Sequence, residues 1–250
     1  MSINAIIVTG YGINADAELA DAFKMAGAVP RRAHAADLLA DPAQLVSCSI
    51  LAFPGEFSFG DHLGSGLVLA NLFRSRMAAE LKAFVAGGGL VLGICNGFQT
   101  LVKAGFLPDL DGNGQPSVAL VHNDHGRFVD DWVGVRFEPA SRCVWTAGLE
   151  PRLLPIRHGE GRFVADDATL GRLEANGLVA LRYDGRNPNG SVGDIAGICD
   201  PTGRILGLMP HPEASIHPDT HPARRRPGRN LLGLDLFRTA LRWLEANNPA

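Results

Sequence analysis

Residues 90–97 read LVLGICNG, an apolar run that ends in a cysteine with a glycine two residues to either side. The run from Leu90 to Ile94 predicts a buried strand, and the residues from Asn96 onward predict the first turns of a helix. Cys95 would then stand at a sharp strand-to-helix corner. This pattern is typical of a nucleophile elbow, whose strained and tightly packed backbone needs glycine on both sides of the nucleophile.

A cysteine at such a corner lies at the N-terminus of a helix, where unpaired N–H groups and the helix dipole favour the thiolate. The N–H of Asn96 is then well placed to stabilise an oxyanion. Most free cysteines are inert core residues, and Cys48, Cys143 and Cys199 fit that description because they lack flanking glycines and a following helix. Cys95 is therefore the predicted nucleophile, provided that the chain also supplies a base.

The sequence MPHPE at residues 209–213 offers such a base. Two prolines flank His211 and are expected to keep the segment extended, so that Glu213 projects to the same side as the imidazole. One ring nitrogen would face the thiol and the other the carboxylate. The sequence therefore predicts a catalytic triad of Cys95, His211 and Glu213.

A second histidine with a glutamate two residues later occurs in HGEG at residues 158–161. Its glycines make the backbone pliable, which suits close contact with a ligand better than rigid support of a base. We therefore expect His158, Gly159 and Glu160 to line the substrate pocket, and His211 to act as the base.

Short apolar strands alternate with helical patterns in the first hundred residues, which predicts a parallel sheet flanked by helices, with reactive loops at the carboxyl ends of the strands. Apolar runs predict strands over 5–9, 50–53, 119–121 and 132–137, over 179–183, and in a hairpin over 195–209. Helical spacing predicts helices over 15–25 and 77–85 and a last helix through Leu234, Phe237, Leu241 and Leu244. The predicted fold class is α/β, a mostly parallel sheet with added antiparallel strands, and residues 1–250 are expected to form one domain.

The composition is typical of a soluble intracellular enzyme, because 46% of the residues are hydrophobic and 20% are charged. Four cysteines without paired spacing, and no secretion signal, indicate a reducing compartment, so we expect a cytoplasmic protein. No apolar run approaches the length of a membrane span. The formal net charge of −3 gives no reason to expect nucleic acid as a partner.

Other patterns in the chain favour no further ligand. His217 and His221 are four residues apart, but each is followed by a proline, which argues against a helix that presents both to a metal ion. We therefore expect no metal site. No P-loop or ATP-grasp pattern is present. A solvated basic loop is predicted at Arg224, Arg225, Arg226 and Arg229.

Several motifs together resemble one enzyme family. GICNGFQ at 93–99 and MPHPE at 209–213 resemble the two active-site motifs of class I (triad) glutamine amidotransferases. A narrower resemblance, to the glutaminase component of phosphoribosylformylglycinamidine synthase in purine biosynthesis, rests on PGEFSFGD at 54–61, NDHGRF at 123–128, HGEG at 158–161 and NGS at 189–191. The resemblance covers nearly the whole chain and implies the flavodoxin-like fold of class I amidotransferases.

The resemblance also implies a reaction. Enzymes of this family hydrolyse glutamine and pass the ammonia to a synthetase, which uses ATP to convert formylglycinamide ribonucleotide into formylglycinamidine ribonucleotide. ATP and Mg²⁺ would then bind only to the synthetase partner, and this chain would need no cofactor. By position, Cys95 matches the nucleophile, His211 the general base and Glu213 the residue that orients it. Gly55 matches the loop that supplies a second oxyanion N–H, and Gln99, one helical turn after Cys95, can reach toward the glutamine substrate.

Glu56 departs from the family pattern, which usually has a second glycine at this position. A dihedral angle reserved for glycine would not be comfortable for glutamate, and an acidic side chain near a thiolate would oppose its ionisation. Two other functions therefore stay open: a stand-alone cysteine hydrolase of the same fold, and a catalytically silent binding subunit. Glu56 favours the silent subunit, whereas the intact Cys95, His211 and Glu213 argue against it.

Overall fold

The computed structural model describes residues 2–222 and 232–247. Its strands are β1 (Asn4–Thr9), β2 (Val29–His34), β3 (Ile50–Phe53), β4 (Leu90–Ile94), β5 (Ala119–Val121), β6 (Val129–Phe137), β7 (Arg152–His158), β8 (Arg162–Val164), β9 (Val179–Asp184), β10 (Ile195–Cys199) and β11 (Ile205–Leu208). Its α-helices are α1 (Asp16–Ala26), α2 (Ala35–Ala40), α3 (Leu67–Ala86), α4 (Asn96–Lys103), α5 (Asp167–Ala175) and α6 (Leu234–Asn247). The predicted basic loop with Arg224, Arg225, Arg226 and Arg229 lies outside the described residues.

Within these residues, nine strands form one mixed sheet in the order β2-β1-β3-β4-β11-β10-β9-β6-β7. The neighbours from β2 to β11 pair in parallel, and those from β11 to β7 pair antiparallel. Strands β5 and β8 form a separate antiparallel pair. The prediction of a mainly parallel sheet with added antiparallel strands is confirmed.

The burial of the strands follows from their place in the sheet. Every residue of β3, β4 and β11 is buried, because strands in the parallel half are covered by helices and read as continuous apolar runs. In the second half of β6, by contrast, buried and half-buried residues alternate. The carboxyl ends of β3, β4 and β11 therefore emerge together from the best-buried part of the molecule.

Aromatic contacts join a helix to the sheet and two helices to each other. The ring of Phe53 in β3 packs edge-on against Phe73 of α3, with 4.9 Å between centroids. Phe23 of α1 meets Phe237 of α6 in the same way at 5.0 Å. Among the described residues, no helix combines the length and apolar character that crossing a bilayer requires.

Some elements differ from the sequence-based predictions. Helix α3 begins at Leu67 instead of Met77, and its buried residues Leu69, Phe73, Met77 and Leu81 recur every fourth position. The strands β2, β7 and β8 and the helices α2 and α5 were not predicted. The polar, largely exposed edge strand β2 carries little apolar signal, and β7 contains a proline that hides its strand character.

Candidate active site

Cys95 stands between the end of β4 and the start of α4, as predicted. Its backbone has φ 51° and ψ −103°, a conformation that residues other than glycine rarely adopt. The N–H of Cys95 donates to the Leu208 carbonyl at 2.8 Å, and the Cys95 carbonyl accepts from the Gln99 N–H at 3.0 Å. The strained corner is thus held between the neighbouring strand β11 and the first turn of α4, which is the geometry of a nucleophile elbow.

The glycines on either side of the elbow are required by close packing. A Cβ atom at Gly93 would lie 2.6 Å from Leu101 Cδ1, and one at Gly97 would collide with the Phe53 carbonyl oxygen. The predicted need for residues without a side chain at these two positions therefore has a steric cause in the structure.

His211 and Glu213 form a buried pair beside the elbow. His211 Nδ1 donates to Glu213 Oε1 at 2.6 Å, and the two residues are 1% and 2% exposed. The N–H of His211 donates to the Pro155 carbonyl at 2.8 Å. The other ring nitrogen, Nε2, is buried without a hydrogen-bond partner. The Cys95 thiol donates to the Arg157 carbonyl at 3.6 Å. Gly55 packs against both the His211 ring and Cys95, and the sulfur acts on the charge of the ring, so the predicted triad residues lie together.

The backbone around His211 is not extended, in contrast to the prediction. Residues Pro212–Ser215 form a turn of 3₁₀ helix, preceded by His211 with φ −107° and ψ 82°. Proline is favoured in the first turn of a helical segment because it has no N–H to leave unpaired. Pro212 therefore starts a turn, and Glu213 reaches the imidazole from within that turn instead of from the same side of a strand.

Two opposing effects set the pKa of His211. Complete burial alone would lower it, but the Glu213 carboxylate and the Cys95 sulfur outweigh burial and raise the pKa to about 10. The imidazolium is therefore the favoured form at neutral pH. A charged ring is suited to stabilise a thiolate and to donate a proton to a leaving group.

Gly55 lies against both the nucleophile and the base. A Cβ atom at this position would be 2.7 Å from His211 Cε1 and 3.4 Å from Cys95 Cβ. Its neighbour Glu56 has φ 86°, so the dihedral angle that glutamate tolerates poorly is present, as predicted. Glu56 Oε1 lies 3.9 Å from Arg157 Nη1.

Asn96 ties the elbow to the loop of residues 54–61, which is called the oxyanion loop below. Its N–H is the first of helix α4 and has no partner within the helix. Its side-chain oxygen accepts from the Ser58 hydroxyl at 2.6 Å, and its side-chain nitrogen donates to Asp61 Oδ1 at 2.9 Å. The asparagine thus positions the loop as well as presenting a backbone donor.

Gln99 connects the elbow to the HGEG segment. Its amide nitrogen donates to the Glu160 carbonyl, and its amide oxygen accepts from Asn96 Nδ2 at 3.3 Å. Both polar ends of the side chain are bound within the protein, so Gln99 links the elbow at Asn96 to the predicted pocket wall at Glu160.

His158 is not paired with Glu160, although the spacing equals that of His211 and Glu213. His158 Nδ1 donates to the side-chain oxygen of Asn123 at 3.1 Å, whereas Glu160 Oε1 lies 3.7 Å from His122 Nδ1. Burial and the nearby charge of His211 lower the pKa of His158 to about 4. The ring is therefore neutral at pH 7, and Nε2 is a buried acceptor without a partner.

Asn123 organises this segment, although it was not among the predicted site residues. Its side-chain nitrogen donates to the carbonyls of Arg127 and His158 at 2.8 and 2.9 Å, and its oxygen also accepts from the Gly161 N–H at 3.1 Å. The N–H of Asn123 donates to the Gly159 carbonyl at 2.9 Å. Asn123, Ser58 and Asp61 all occur in motifs that carried the family resemblance. That resemblance was the sequence signal from which they could have been predicted as site residues.

Arg157 had no such signal, yet it contacts the nucleophile through its carbonyl and the His211–Glu213 pair through its side chain. Arg157 Nη2 lies 3.4 Å from His211 Nδ1 and 3.8 Å from Glu213 Oε1. Within residues 2–222 and 232–247, no cluster of three or more His, Cys, Asp or Glu side chains is arranged to hold a metal ion.

Known proteins are similar to this chain over most of its length. The CobB/CobQ-like glutamine amidotransferase domain matches residues 2–244. The phosphoribosylformylglycinamidine synthase subunit PurQ of Dehalococcoides mccartyi is 40% identical over 253 residues, covering 96% of this chain and 97% of that protein. The PurQ subunit of Methanococcus maripaludis is 43% identical over 230 residues, covering 87% and 85%. This chain belongs to the PurQ family.

A solved structure supports the same assignment. A chain in the structure of PurLQS from Thermotoga maritima shares 31% identity and a TM-score of 0.76, with 98% of this chain and 100% of that chain covered. Membership in the PurQ family confirms the predicted class I glutamine amidotransferase fold and the resemblance to the glutaminase component of phosphoribosylformylglycinamidine synthase.

Proposed function

We propose that this chain is the glutaminase subunit of phosphoribosylformylglycinamidine synthase, that it works as one glutamine amidotransferase domain over residues 1–250, and that it acts in the cytoplasm. The observation that carries the proposal is the buried His211–Glu213 pair, with 2.6 Å between Nδ1 and Oε1, beside the strained elbow of Cys95. A free structural cysteine would need neither the strained corner nor the charged imidazole.

In the first half of the reaction, the Cys95 thiolate attacks the side-chain amide carbon of glutamine. The negative charge that develops on the amide oxygen is held by the N–H of Asn96 and by a backbone N–H of the oxyanion loop at Gly55. The His211 imidazolium donates its proton to the amide nitrogen, and the C–N bond breaks to release ammonia. A glutamyl thioester on Cys95 and a neutral His211 are left.

In the second half, His211 is the base. It takes a proton from a water molecule, which attacks the thioester carbon, and the same oxyanion donors stabilise the second tetrahedral intermediate. The C–S bond breaks, glutamate leaves, and the thiolate and imidazolium are restored. Glu213 keeps the imidazole in the tautomer that presents Nε2 to the reacting groups.

The remaining predicted residues form the glutamine pocket. We propose that the space in front of the elbow is surrounded by Gln99, His158, Gly159 and Glu160. The neutral His158 offers its unpartnered Nε2 as an acceptor, which suits an N–H group of the substrate. Removal of these residues should weaken glutamine binding more than it slows chemistry.

The ammonia is used by a synthetase partner. The Thermotoga maritima structure is described as PurLQS, a complex named for three components. By analogy, this chain docks onto a synthetase that binds ATP and Mg²⁺ and consumes the ammonia, while the chain itself needs no cofactor. Coupling to a partner prevents the waste of glutamine that a free glutaminase would cause.

The test is glutamate release from glutamine by the purified chain, alone and with the synthetase subunits and their nucleotides. We expect release that depends on the partner and falls by roughly 10⁴-fold or more in Cys95→Ala. A Cys48→Ala variant is the matched control, because Cys48 is a free cysteine outside the site.

Each other outcome points to one of the alternatives. Full activity of the chain alone, toward amides other than glutamine, would identify a stand-alone cysteine hydrolase. No release under any condition, together with no labelling of Cys95 by an electrophilic glutamine analogue in the complex, would identify a catalytically silent subunit.

A further inference from the structure

Arg157 places a positive charge behind the His211–Glu213 pair. It is the penultimate residue of β7, and its side chain is 28% exposed. Nη2 lies 3.8 Å from Glu213 Oε1, the same oxygen that accepts the hydrogen bond from His211. The guanidinium and the imidazole therefore share one carboxylate oxygen.

The same guanidinium contacts two further carboxylates from other parts of the chain. Nη2 lies 2.8 Å from Oε2 of Glu18 in α1, and Nη1 lies 3.9 Å from Oε1 of Glu56 in the oxyanion loop. Burial would lower the pKa of Arg157, but the charges of Glu18, Glu213 and Glu56 raise it above its ordinary value. Arg157 is thus a permanent cation between three acidic residues.

The backbone of Arg157 contacts the nucleophile. The Cys95 thiol donates to the Arg157 carbonyl at 3.6 Å, and two residues earlier the Pro155 carbonyl accepts from the His211 N–H. The end of β7 is therefore in contact with the nucleophile, the base, the orienting carboxylate and the oxyanion loop. A change in the position of this strand end would therefore move or disturb all four of these groups.

We infer that Arg157 is a positioning residue that makes the acidic Glu56 compatible with a reactive Cys95. Its charge compensates Glu56 at the oxyanion loop, and the two ends of its planar fork face different groups, Nη1 the loop and Nη2 Glu18 and Glu213. Without the guanidinium, Glu56 would carry an uncompensated negative charge in the loop whose Gly55 lies against Cys95, and like charges oppose ionisation of the thiol. This inference rests on the proposed function, because it assigns a role in the same glutaminase site.

The charged His211 ring faces Glu213 and Cys95, and the other titratable groups that act on the Cys95–His211 pair bring no positive charge to Glu56. Burial raises the pKa of Tyr183 and lowers that of His158, so both side chains are neutral at pH 7. Glu213 is committed to His211. Arg157 is therefore the cation that faces Glu56 in this arrangement.

A double-mutant cycle tests the inference. Arg157→Gln, Glu56→Gly and the double variant are compared in the assembled complex, by kcat and KM for glutamine hydrolysis and by the pH dependence of iodoacetamide alkylation of Cys95. We expect Arg157→Gln to lower kcat about tenfold. It should also raise the midpoint pH of Cys95 alkylation by about one unit, which is the usual effect of one nearby charge on an ionisable group. In the Glu56→Gly background both changes should shrink to about twofold or less.

Two further variants separate charge from packing. Arg157→Lys keeps the charge but lacks the planar fork, so it should restore the alkylation midpoint and only part of kcat. Arg172→Ala removes an arginine from the exposed ion pair with Asp111 and serves as the matched control. Thermal unfolding of each variant checks that the fold is kept.

The inference would be overturned if Arg157→Gln lowered kcat and shifted the alkylation midpoint equally with and without the Glu56→Gly substitution. It would also be overturned if the complex with Arg157→Gln were as active as an active wild-type complex. A wild-type complex that releases no glutamate would instead overturn the proposed function. The alkylation midpoints do not depend on glutaminase activity, so they decide the role of Arg157 in that case too.

Discussion

Two segments of this protein contain a histidine followed two residues later by a glutamate, but the two histidines have different hydrogen-bond partners and different charges. In residues 211–213, the histidine donates to the glutamate at 2.6 Å. In residues 158–160, the histidine donates to Asn123 and the glutamate faces His122. The pKa of His211 is raised to about 10, whereas that of His158 is lowered to about 4.

The difference comes from what lies beside each ring. Both imidazoles are almost fully buried, and burial alone lowers the pKa of either one. His211 has a carboxylate and a cysteine as neighbours, while His158 has a neutral amide and the charge of His211. The same local spacing therefore yields a cation in one place and a neutral acceptor in the other.

Replacing each histidine breaks the comparison most directly. We expect His211→Ala to lower kcat for glutamine hydrolysis by roughly 10⁴-fold, because the proton donor and base are lost together. His158→Ala should keep kcat and raise KM about fivefold, equivalent to about 1 kcal/mol of binding. Steady-state kinetics of the complex measures both.

His217→Ala is the control for these two substitutions, because His217 is an exposed histidine that also precedes a proline. It should behave as wild type. The opposite result, a lost kcat in His158→Ala and a raised KM in His211→Ala, would reverse the two assignments.

Glu213→Gln tests the origin of the charge on His211. The rate is lost at high pH as the imidazolium deprotonates through its pKa of about 10. Without the Glu213 charge this pKa falls, so the alkaline limb of kcat should move toward the ordinary histidine value near 6.5, and kcat should drop about 10³-fold. A pH–rate profile gives both quantities. Glu160→Gln should leave the alkaline limb in place, and a shift of equal size there would contradict the proposed pairing.

Gly55→Ala tests how closely the base and the nucleophile are packed. The added methyl group would lie 2.7 Å from His211 Cε1, so the ring or the oxyanion loop must move, and we expect kcat to fall about 10²-fold. Gly171→Ala in α5 meets no neighbour within 4 Å and should not change kcat. An unchanged rate in Gly55→Ala would show that the loop is not in contact with the base during catalysis.

Asn123→Ala should have the smallest effect on the rate and a clear effect on stability. The substitution leaves His158 Nδ1 and the Gly161 N–H without their acceptor, which we expect to cost about 1–3 kcal/mol of unfolding free energy and to raise KM a few-fold. Denaturant unfolding and kinetics measure the two effects. Asn176→Ala, at an exposed helix end, is the control, and a drop in kcat without a change in stability would argue for a direct role of Asn123 in chemistry.

Much of the fold was predictable because the central strands carry a strong signal. The residues of β3 and β4 are continuous apolar runs, and their boundaries were predicted closely. The edge strand β2 and the proline-containing β7 were missed, since their side chains do not show the alternation or apolar run on which such predictions depend. Helix α3 was predicted too short for want of a clear start signal before Leu67.

The roles of single residues were predictable where the residue types in a short stretch of sequence indicate the local backbone geometry. Glycines on both sides of Cys95, a cysteine at a strand-to-helix corner and a histidine in MPHPE indicate an elbow and a base without any knowledge of distant contacts. The uncomfortable backbone at Glu56 was predicted differently, from the family resemblance, in which a glycine usually stands at this position; Glu56 has φ 86°.

Only the tertiary structure decided which charged groups from distant parts of the chain meet. The sequence by itself determined the elbow at Cys95 and the pairing of His211 with Glu213, because each depends on residues close together in the chain. It also indicated the α/β class, because apolar strands alternate with helical patterns along the chain. Several contacts join residues that are far apart in sequence. They include the bond of His158 to Asn123 and the contacts of Arg157 with Glu18, Glu56 and Glu213. Such contacts depend on strand order and register, and the electrostatic effect of a charge depends on distances that only the folded chain sets.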